Sequence, residues 1–227
     1  MKIIVTAGPT REPIDPVRFI GNRSSGKMGY AVAAAALRRG HSVVLISGPV
    51  AIAPPAGVKL RKVVTAREML ADVRSRLPWC DALVMTAAVA DWRPAVCARM
   101  KIKKTGEGAL LRLKPNPDIL KAVAPRKGRR IFVGFAAETG RLRTEALRKL
   151  REKKLDMIVA NDVGRPDSGF EAETNRVVLF SAGGEETQLP LMAKTKIAAR
   201  IIKWIERRQS RGVMADNCAC AERAESV

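Results

Sequence analysis

Residues 26–47, GKMGYAVAAAALRRGHSVVLIS, read as a helix that hands over directly to a buried strand. Gly26 to Arg39 is alanine-rich, and Gly40 stops it, because glycine takes the left-handed backbone that ends a helix. Ser42 to Ser47 is a short β-branched run whose continuous apolarity suits a parallel strand covered on both faces. Upstream, Lys2 to Thr6 is a run of the same kind, closed by Ala7-Gly8-Pro9. Strand, helix and strand with a right-handed crossover open a doubly wound sheet. Between the first strand and the helix lies a polar loop, Thr10 to Ser25, which carries Arg11, Glu12, Asp15, Arg18 and Asn22. A loop of that length between strand and helix is usually functional.

The junction Gly21-Asn22-Arg23-Ser24-Ser25-Gly26-Lys27-Met28-Gly29 is suited to an anion. Ser24 or Ser25 is expected to cap the helix, whose first turn leaves backbone N–H groups and the positive end of the dipole for a phosphate or carboxylate. Gly21 to Lys27 also satisfies GxxxxGK of a Walker A loop. Met28, however, stands where the metal-binding Ser or Thr is required, and the strand lies too far upstream.

Further along, Leu60 to Val64, the amphipathic helix Ala66 to Leu77 and the apolar strand Ala82 to Thr86 continue the αβ alternation. Ligands in open parallel sheets sit beyond the carboxyl ends of strands, which is where Thr86-Ala87-Ala88-Val89-Ala90-Asp91-Trp92 falls. Arg93 to Leu113, with Lys101-Ile102-Lys103-Lys104 and Thr105-Gly106-Glu107-Gly108, fits a basic flap and a solvated hairpin equally. Lys114-Pro115-Asn116-Pro117-Asp118 precedes a helix to about Ala124, with Asn116 as its expected cap. Ile131 to Phe135 is a strand, Leu142 to Lys154 a basic helix, and Met157 to Ala160 a strand that runs into Asn161-Asp162-Val163. Val177 to Phe180 and Thr187 to Leu189 form a hairpin appended to the sheet. A helix from Met192 to about Arg208 packs through Ile197, Ile201, Ile202 and Ile205, and residues 209–227 are expected as a disordered tail. The fold class is therefore α/β, a Rossmann-like doubly wound, mostly parallel sheet with an appended β-hairpin and a basic flap.

Forty-two Lys and Arg against 22 Asp and Glu give a net charge of +20, which favours polyanionic partners. Aromatic residues make up only 4%, too few for a base-stacking platform, so no nucleic-acid partner is expected. Cys80, Cys97, Cys218 and Cys220 form neither a CxxC pair nor a secretory framework and read as reduced thiols. Neither a signal peptide nor a membrane span is evident, so a cytoplasmic protein without a membrane partner is expected. His41, the lone histidine, sits at a helix-to-strand turn and is assigned no role.

A dinucleotide oxidoreductase would want GxGxxG after the first strand and an acid ending the second. The chain offers Ala7-Gly8-Pro9-Thr10 and Ser47-Gly48-Pro49 instead. A short-chain reductase would need Tyr-x-x-x-Lys, yet Tyr30 is followed four places later by Ala34. What remains is a nucleotide-using transferase or ligase, whose catalysis rests on positioning and charge neutralisation rather than on a triad.

Thr6-Ala7-Gly8-Pro9-Thr10-Arg11-Glu12-Pro13-Ile14-Asp15-Pro16-Val17-Arg18, the Asn22 to Gly29 stretch, Ala87-Ala88-Val89-Ala90-Asp91, Lys101-Ile102-Lys103-Lys104, Asn116-Pro117-Asp118-Ile119, Gly134-Phe135-Ala136-Ala137-Glu138-Thr139 and Ala160-Asn161-Asp162-Val163 stand in one order. Together they resemble bacterial phosphopantothenoylcysteine synthetase, the phosphopantothenate–cysteine ligase of coenzyme A biosynthesis. The resemblance covers about residues 1–206, which makes 1–208 the expected ligase domain. It implies that 4′-phosphopantothenate attacks the α-phosphate of CTP to give an acyl-cytidylate and pyrophosphate, after which the amine of L-cysteine displaces CMP.

The resemblance also assigns residues. Asn22 handles the acyl-cytidylate, Arg18 lies near the pantothenate, and Lys101 is the flap lysine that closes on the triphosphate. Asp91, the turn Pro117, Asp118, Ile119 and Leu120, then Phe135, Lys149 and Lys153 fall on CTP-binding positions. Met85, Thr86 and Ala87 supply backbone contacts, while Ala87 and Ala88 stay small against the ligand. Mg²⁺ or Mn²⁺ is expected mostly on the nucleotide phosphates, with Asp91 assisting. CTP rather than ATP follows from the SSGKMG form. A homodimer is implied, with the hairpin and strand region after Asn161 as its expected interface. Flavin is not expected in this chain; a flavin-dependent decarboxylase is expected either as a separate protein or as the other half of a longer one.

Overall fold

The computed structural model describes residues 1–104, 106, 108–138, 140–162 and 172–224, with the backbone alone at 162 and 212–224. Thr105 and Glu107 of the flap, Thr139, residues 163–171 at the start of the region assigned to a dimer interface, and the side chains of Cys218 and Cys220 lie outside the described residues.

In chain order, β1 (Lys2–Ala7) leads to a small hairpin, β2 (Arg11–Pro13) with β3 (Phe19–Gly21), then to α1 (Lys27–Arg38) and β4 (Ser42–Ser47). Next come β5 (Lys59–Lys62), α2 (Ala66–Arg76) and β6 (Ala82–Met85). A second ribbon, β7 (Trp92–Pro94) with β8 (Leu113–Pro115), precedes α3 (Ile119–Val123), β9 (Ile131–Glu138), α4 (Leu142–Glu152) and β10 (Met157–Asp162). The chain continues through β11 (Thr174–Ser181), β12 (Glu186–Ala193) and α5 (Lys194–Ala224).

Eight strands form one sheet in the order β12-β11-β10-β9-β6-β1-β4-β5, parallel from β10 to β5, with β11 and β12 antiparallel at one edge. The chain steps outward from β1 to β4 and β5, then returns to β6 on the other side of β1. That reversal opens a crevice beyond the carboxyl ends of β1 and β6.

Strand alternation divides the core. Ile3, Val5, Val43, Leu45, Val84, Val133 and Val159 face α1 and α5, whereas Ile4, Val44, Ile46, Leu83, Phe132 and Ile158 face α2, α3 and α4. The alanines of α1 let it pack closely on the sheet and on Ile197, Ile201 and Ile205 of α5. His41 joins these layers, its Nε2 lying 2.9 Å from Glu206 Oε1, while Arg39 meets the other oxygen of Glu206 at 2.7 Å.

Several local expectations change. The loop from Thr10 to Ser25 contains the β2–β3 hairpin, tied by Asp15, whose Oδ1 accepts from the N–H groups of Val17 at 2.9 Å and Arg18 at 2.8 Å. Neither serine caps α1. Gly26 holds the N-cap position at φ 77°, a left-handed conformation open to glycine, without a side-chain cap. Asp118, not Asn116, caps α3 by accepting from Lys121 N at 3.0 Å. Asn116 instead ties the ribbon to the β6 exit, donating through Nδ2 to Ala90 O at 2.8 Å. The last helix continues to Ala224, through residues assigned to a disordered tail. Its apolar stripe ends near Ile205, but the following residues lack proline and include alanines, arginines and glutamates that favour helix.

Candidate active site

A cavity of about 300 Å³ opens beyond the carboxyl ends of β6, β9 and β10, against the first turn of α1. The β1–β6 crossover builds its floor. Thr86 donates through Oγ1 to Thr6 O at 2.5 Å, and Ala87 N donates to Thr6 Oγ1 at 3.2 Å. Ala88 N reaches Gly8 O at 2.9 Å, and Ala90 N reaches Thr10 Oγ1 at 2.9 Å. The segment from Met85 to Asp91, which lines the cavity, is thus fastened to the exit of β1.

α1 approaches this floor closely because Gly29 has no side chain; a Cβ there would stand 2.5 Å from both Ala7 Cβ and Thr86 Oγ1. Gly26, Lys27 and Gly29 line the cavity with Asn22 and Ser24. Asn22 is held at the rim by donating through Nδ2 to Val89 O at 3.0 Å.

On the opposite side, the turn Pro117 to Leu120, Phe135 within β9, Lys149 of α4 and Lys153, which caps the carboxyl end of that helix, complete the wall. The α4 lysines, four residues apart, share one helix face. Lys149 Nζ lies 2.6 Å from Glu138 Oε1 and Lys153 Nζ 2.8 Å from Asp118 Oδ2. Burial pushes the Asp118 carboxyl up, but the hydrogen bond from Lys153, the Lys121 N–H and the charges of both lysines outweigh it and hold it below its usual range. Both carboxylates therefore aim an ammonium at the cavity. Four lysines line it, Lys27, Lys149, Lys153 and Lys194, against two carboxylates, Asp91 and Asp118. The site is chemically suited to a polyanion, and among the described residues it offers no nucleophile with an adjacent base.

Residues 1–208 match the family described as the DNA/pantothenate metabolism flavoprotein C-terminal domain. The chain belongs to that family. It is 48% identical over 198 residues to the coenzyme A biosynthesis bifunctional protein CoaBC of Escherichia coli K12, covering 86% of this chain and 48% of that one. It is 46% identical over 204 residues to the CoaBC protein of Bacillus subtilis strain 168, covering 89% of this chain and 50% of that one. This flavoprotein C-terminal domain thus spans about half the length of these relatives. The crystal structure of a CoaBC C-terminal domain superposes with a TM-score of 0.80 at 41% identity, covering 92% of this chain and 96% of that one.

Within this family domain, the structure brings together Asn22, Met85, Thr86, Ala87, Ala88, Asp91, Pro117, Asp118, Ile119, Leu120, Phe135, Lys149 and Lys153 around one cavity. Arg18 and Lys101 do not line it. Arg18 instead pairs with buried Asp15, Nη2 to Oδ2 at 2.5 Å, and donates to Ile102 O at 2.6 Å. Lys101, beside Ile102, is exposed. Sequence reasoning assigned no role to Asn175 or Lys194, and it gave Lys27 none beyond its place in the anion-binding stretch Gly21 to Gly29. A lysine that opens a helix carries no mark of burial, so Lys194 has no sequence signal to separate it from Lys196.

Proposed function

We propose that this chain is a phosphopantothenate–cysteine ligase that activates 4′-phosphopantothenate with CTP and joins it to L-cysteine. The observation that carries the reading is the lysine-lined cavity on which residues from five of the seven motif stretches converge. In the first half, a carboxylate oxygen of 4′-phosphopantothenate attacks the α-phosphorus of CTP and pyrophosphate leaves. Both reactants are anions, so Lys149 and Lys153 lower the repulsion and stabilise charge on the transferring phosphate. In the second half, the cysteine amine attacks the acyl carbon, CMP leaves, and the amine proton passes to solvent. Asn22, fixed on Val89, presents a neutral amide beside that intermediate.

Mg²⁺ or Mn²⁺ fits this site as a companion of the nucleotide. Among the described residues no three His, Cys, Asp or Glu side chains converge as ligands; phosphate oxygens, with Asp91 of the cavity wall, would be its donors. When bound, the ion supplies charge neutralisation on the phosphates. Among the described residues no helix is long and apolar enough to cross a membrane. Exposed apolar side chains at Trp92 (53%), Val96 (79%), Met100 (80%) and Leu110 (94%) support a homodimer formed through the β7–β8 ribbon and the connection between its strands, rather than through the region after Asn161. Residues 1–208 are taken as the ligase domain.

The test is pyrophosphate release from CTP that requires 4′-phosphopantothenate, measured before cysteine is added. Release with CTP well above that with ATP is expected; no release with any nucleotide refutes the reading.

A further inference from the structure

Outside the active-site cavity lies a second, open groove of about 460 Å³, lined by one face of α2, by Arg93 of β7 and by the turn that follows β8. Asn116 and Pro117 of that turn also line the active-site cavity, so the two spaces share a wall.

The α2 face is a helical stripe. Arg67, Leu70, Ala71 and Arg74 are spaced i, i+3, i+4 and i+7, which sets a guanidinium at each end of a small apolar floor. Neither arginine has an acid three or four places away; those positions hold Val63, Val64, Leu70, Ala71, Leu77 and Pro78. The acids of α2 are engaged elsewhere, Glu68 with Val64 N at 2.7 Å and Asp72 with Arg76 at 3.0 Å. Arg93 comes from the ribbon. Its Nη1 donates to Pro115 O and, at 2.9 Å, to Asn116 Oδ1, both of them neutral acceptors. Its Nε is buried and has no partner among the described residues. Lys114 stands directly across the ribbon from Arg93, and like charges in opposed strand positions destabilise one another. Among the described residues, none of Arg67, Arg74 and Arg93 forms an ion pair.

We propose that this groove is a second anion site, separate from the active-site cavity, which takes a diphosphate or triphosphate group. A guanidinium offers a planar fork of donors that matches a pair of phosphate oxygens, and its charge strengthens each bond. Three such cations without carboxylates carry more charge than a monophosphate balances, whereas two or three linked phosphates balance it. The site is joined to the active-site cavity by one side chain, because Asn116 accepts from Arg93 and donates through Nδ2 to Ala90 O at 2.8 Å. The group has two sources, free pyrophosphate and the tail of a nucleoside triphosphate. The inference does not rest on the ligase reading.

The full chain is titrated calorimetrically with inorganic pyrophosphate at low ionic strength as wild type, as Arg67→Gln with Arg74→Gln, and as Lys149→Met with Lys153→Met. Wild type is expected to bind about two equivalents, one of which the arginine pair loses or holds about tenfold more weakly, while the lysine pair loses the other. The unliganded Tm of the arginine pair should change little, since both side chains are exposed. CTP is then titrated into the lysine pair: binding tighter than that of pyrophosphate assigns the nucleotide tail, and binding no tighter assigns the free ion. An arginine pair that keeps all the pyrophosphate bound by wild type overturns the site, as does a lysine pair that keeps none. So does an equal loss in Arg200→Gln with Arg208→Gln, two exposed arginines of α5 outside the groove, which marks net charge alone. Should the active-site cavity bind no pyrophosphate, wild type takes one equivalent that only the Arg67 and Arg74 substitutions remove; the groove then stands while the ligase reading loses support.

Discussion

Gly29→Ala sets helix propensity against packing. In an exposed helix the change would stabilise by about 1 kcal/mol, because alanine loses less backbone entropy. Here the added Cβ would lie 2.5 Å from Ala7 Cβ, 2.5 Å from Thr86 Oγ1 and 3.0 Å from Thr6 O. Carbon atoms prefer separations of about 3.5–4.0 Å, so α1 has to withdraw from the sheet by roughly 1 Å. Relief elsewhere is limited: Thr6 O belongs to a central strand, Ala7 has no rotamer, and the Thr86 hydroxyl is already committed to Thr6 O at 2.5 Å. Overpacking costs about 1–3 kcal/mol or more, and three rigid neighbours put this site at the upper end. Against the propensity gain, the net loss is about 2 kcal/mol. For a chain of this length that corresponds to a fall in Tm of about 4–8 °C. Urea unfolding should show the midpoint lowered with its slope unchanged. Gly29 also lines the cavity, so the thermal shift produced by CTP should shrink in the same variant. A variant as stable as wild type, or more so, would refute the close approach of α1 to β1 and β6.

Asn22→Asp replaces a donor 3.0 Å from Val89 O with a charge beside an anionic intermediate; amide formation should fall about tenfold more than pyrophosphate release, and equal loss of both refutes the division. Hydrogen bonds from the Arg18 guanidinium, and from the backbone N–H groups of Val17, Arg18 and Ile102, hold the Asp15 carboxyl well below its ordinary value against the opposing effect of burial. A depressed carboxyl stabilises the fold above its unfolded pKa, near 3.9, and loses that contribution as pH falls through the folded value. Asp15→Asn should therefore be less stable than wild type at neutral pH, with the Tm gap closing on acidification below about 4; a constant gap would contradict this. Val96→Asp with Met100→Asp should leave the chain monomeric by light scattering with its Tm little changed, whereas an unaltered mass would move the dimer contact off the ribbon face.

Much of the fold was legible because it is written in long, regular runs. Ser42–Ser47 was read to the residue, and β1 missed only Ala7, since both strands are buried on two faces and carry continuous apolar sequence. The β2–β3 hairpin was missed for the opposite reason: strands of three residues hold no period, and the turn between them is made by one aspartate accepting from its neighbours' N–H groups. The end of α5 was misplaced because periodicity reports what a helix packs against, not whether the chain is helical. Nor did the sequence separate Asn116 from Asp118 as a cap, both being good cap residues two positions apart.

The site divides along a physical line. The named residues on strand exits and on α4 line one cavity because parallel topology fixes where carboxyl ends converge, whatever the ligand. Arg18 and Lys101 are different, since they depend on how a long excursion folds back. Asp15 settles that geometry. Its Oδ2 accepts from the Arg18 guanidinium and from Ile102 N at 3.1 Å, while Arg18 donates to the carbonyl of the same Ile102. Both main-chain groups of Ile102 are thereby fixed, and Lys101 is the residue immediately before this anchor. Arg18 thus acts in this structure as the brace of the flap rather than as part of the cavity wall.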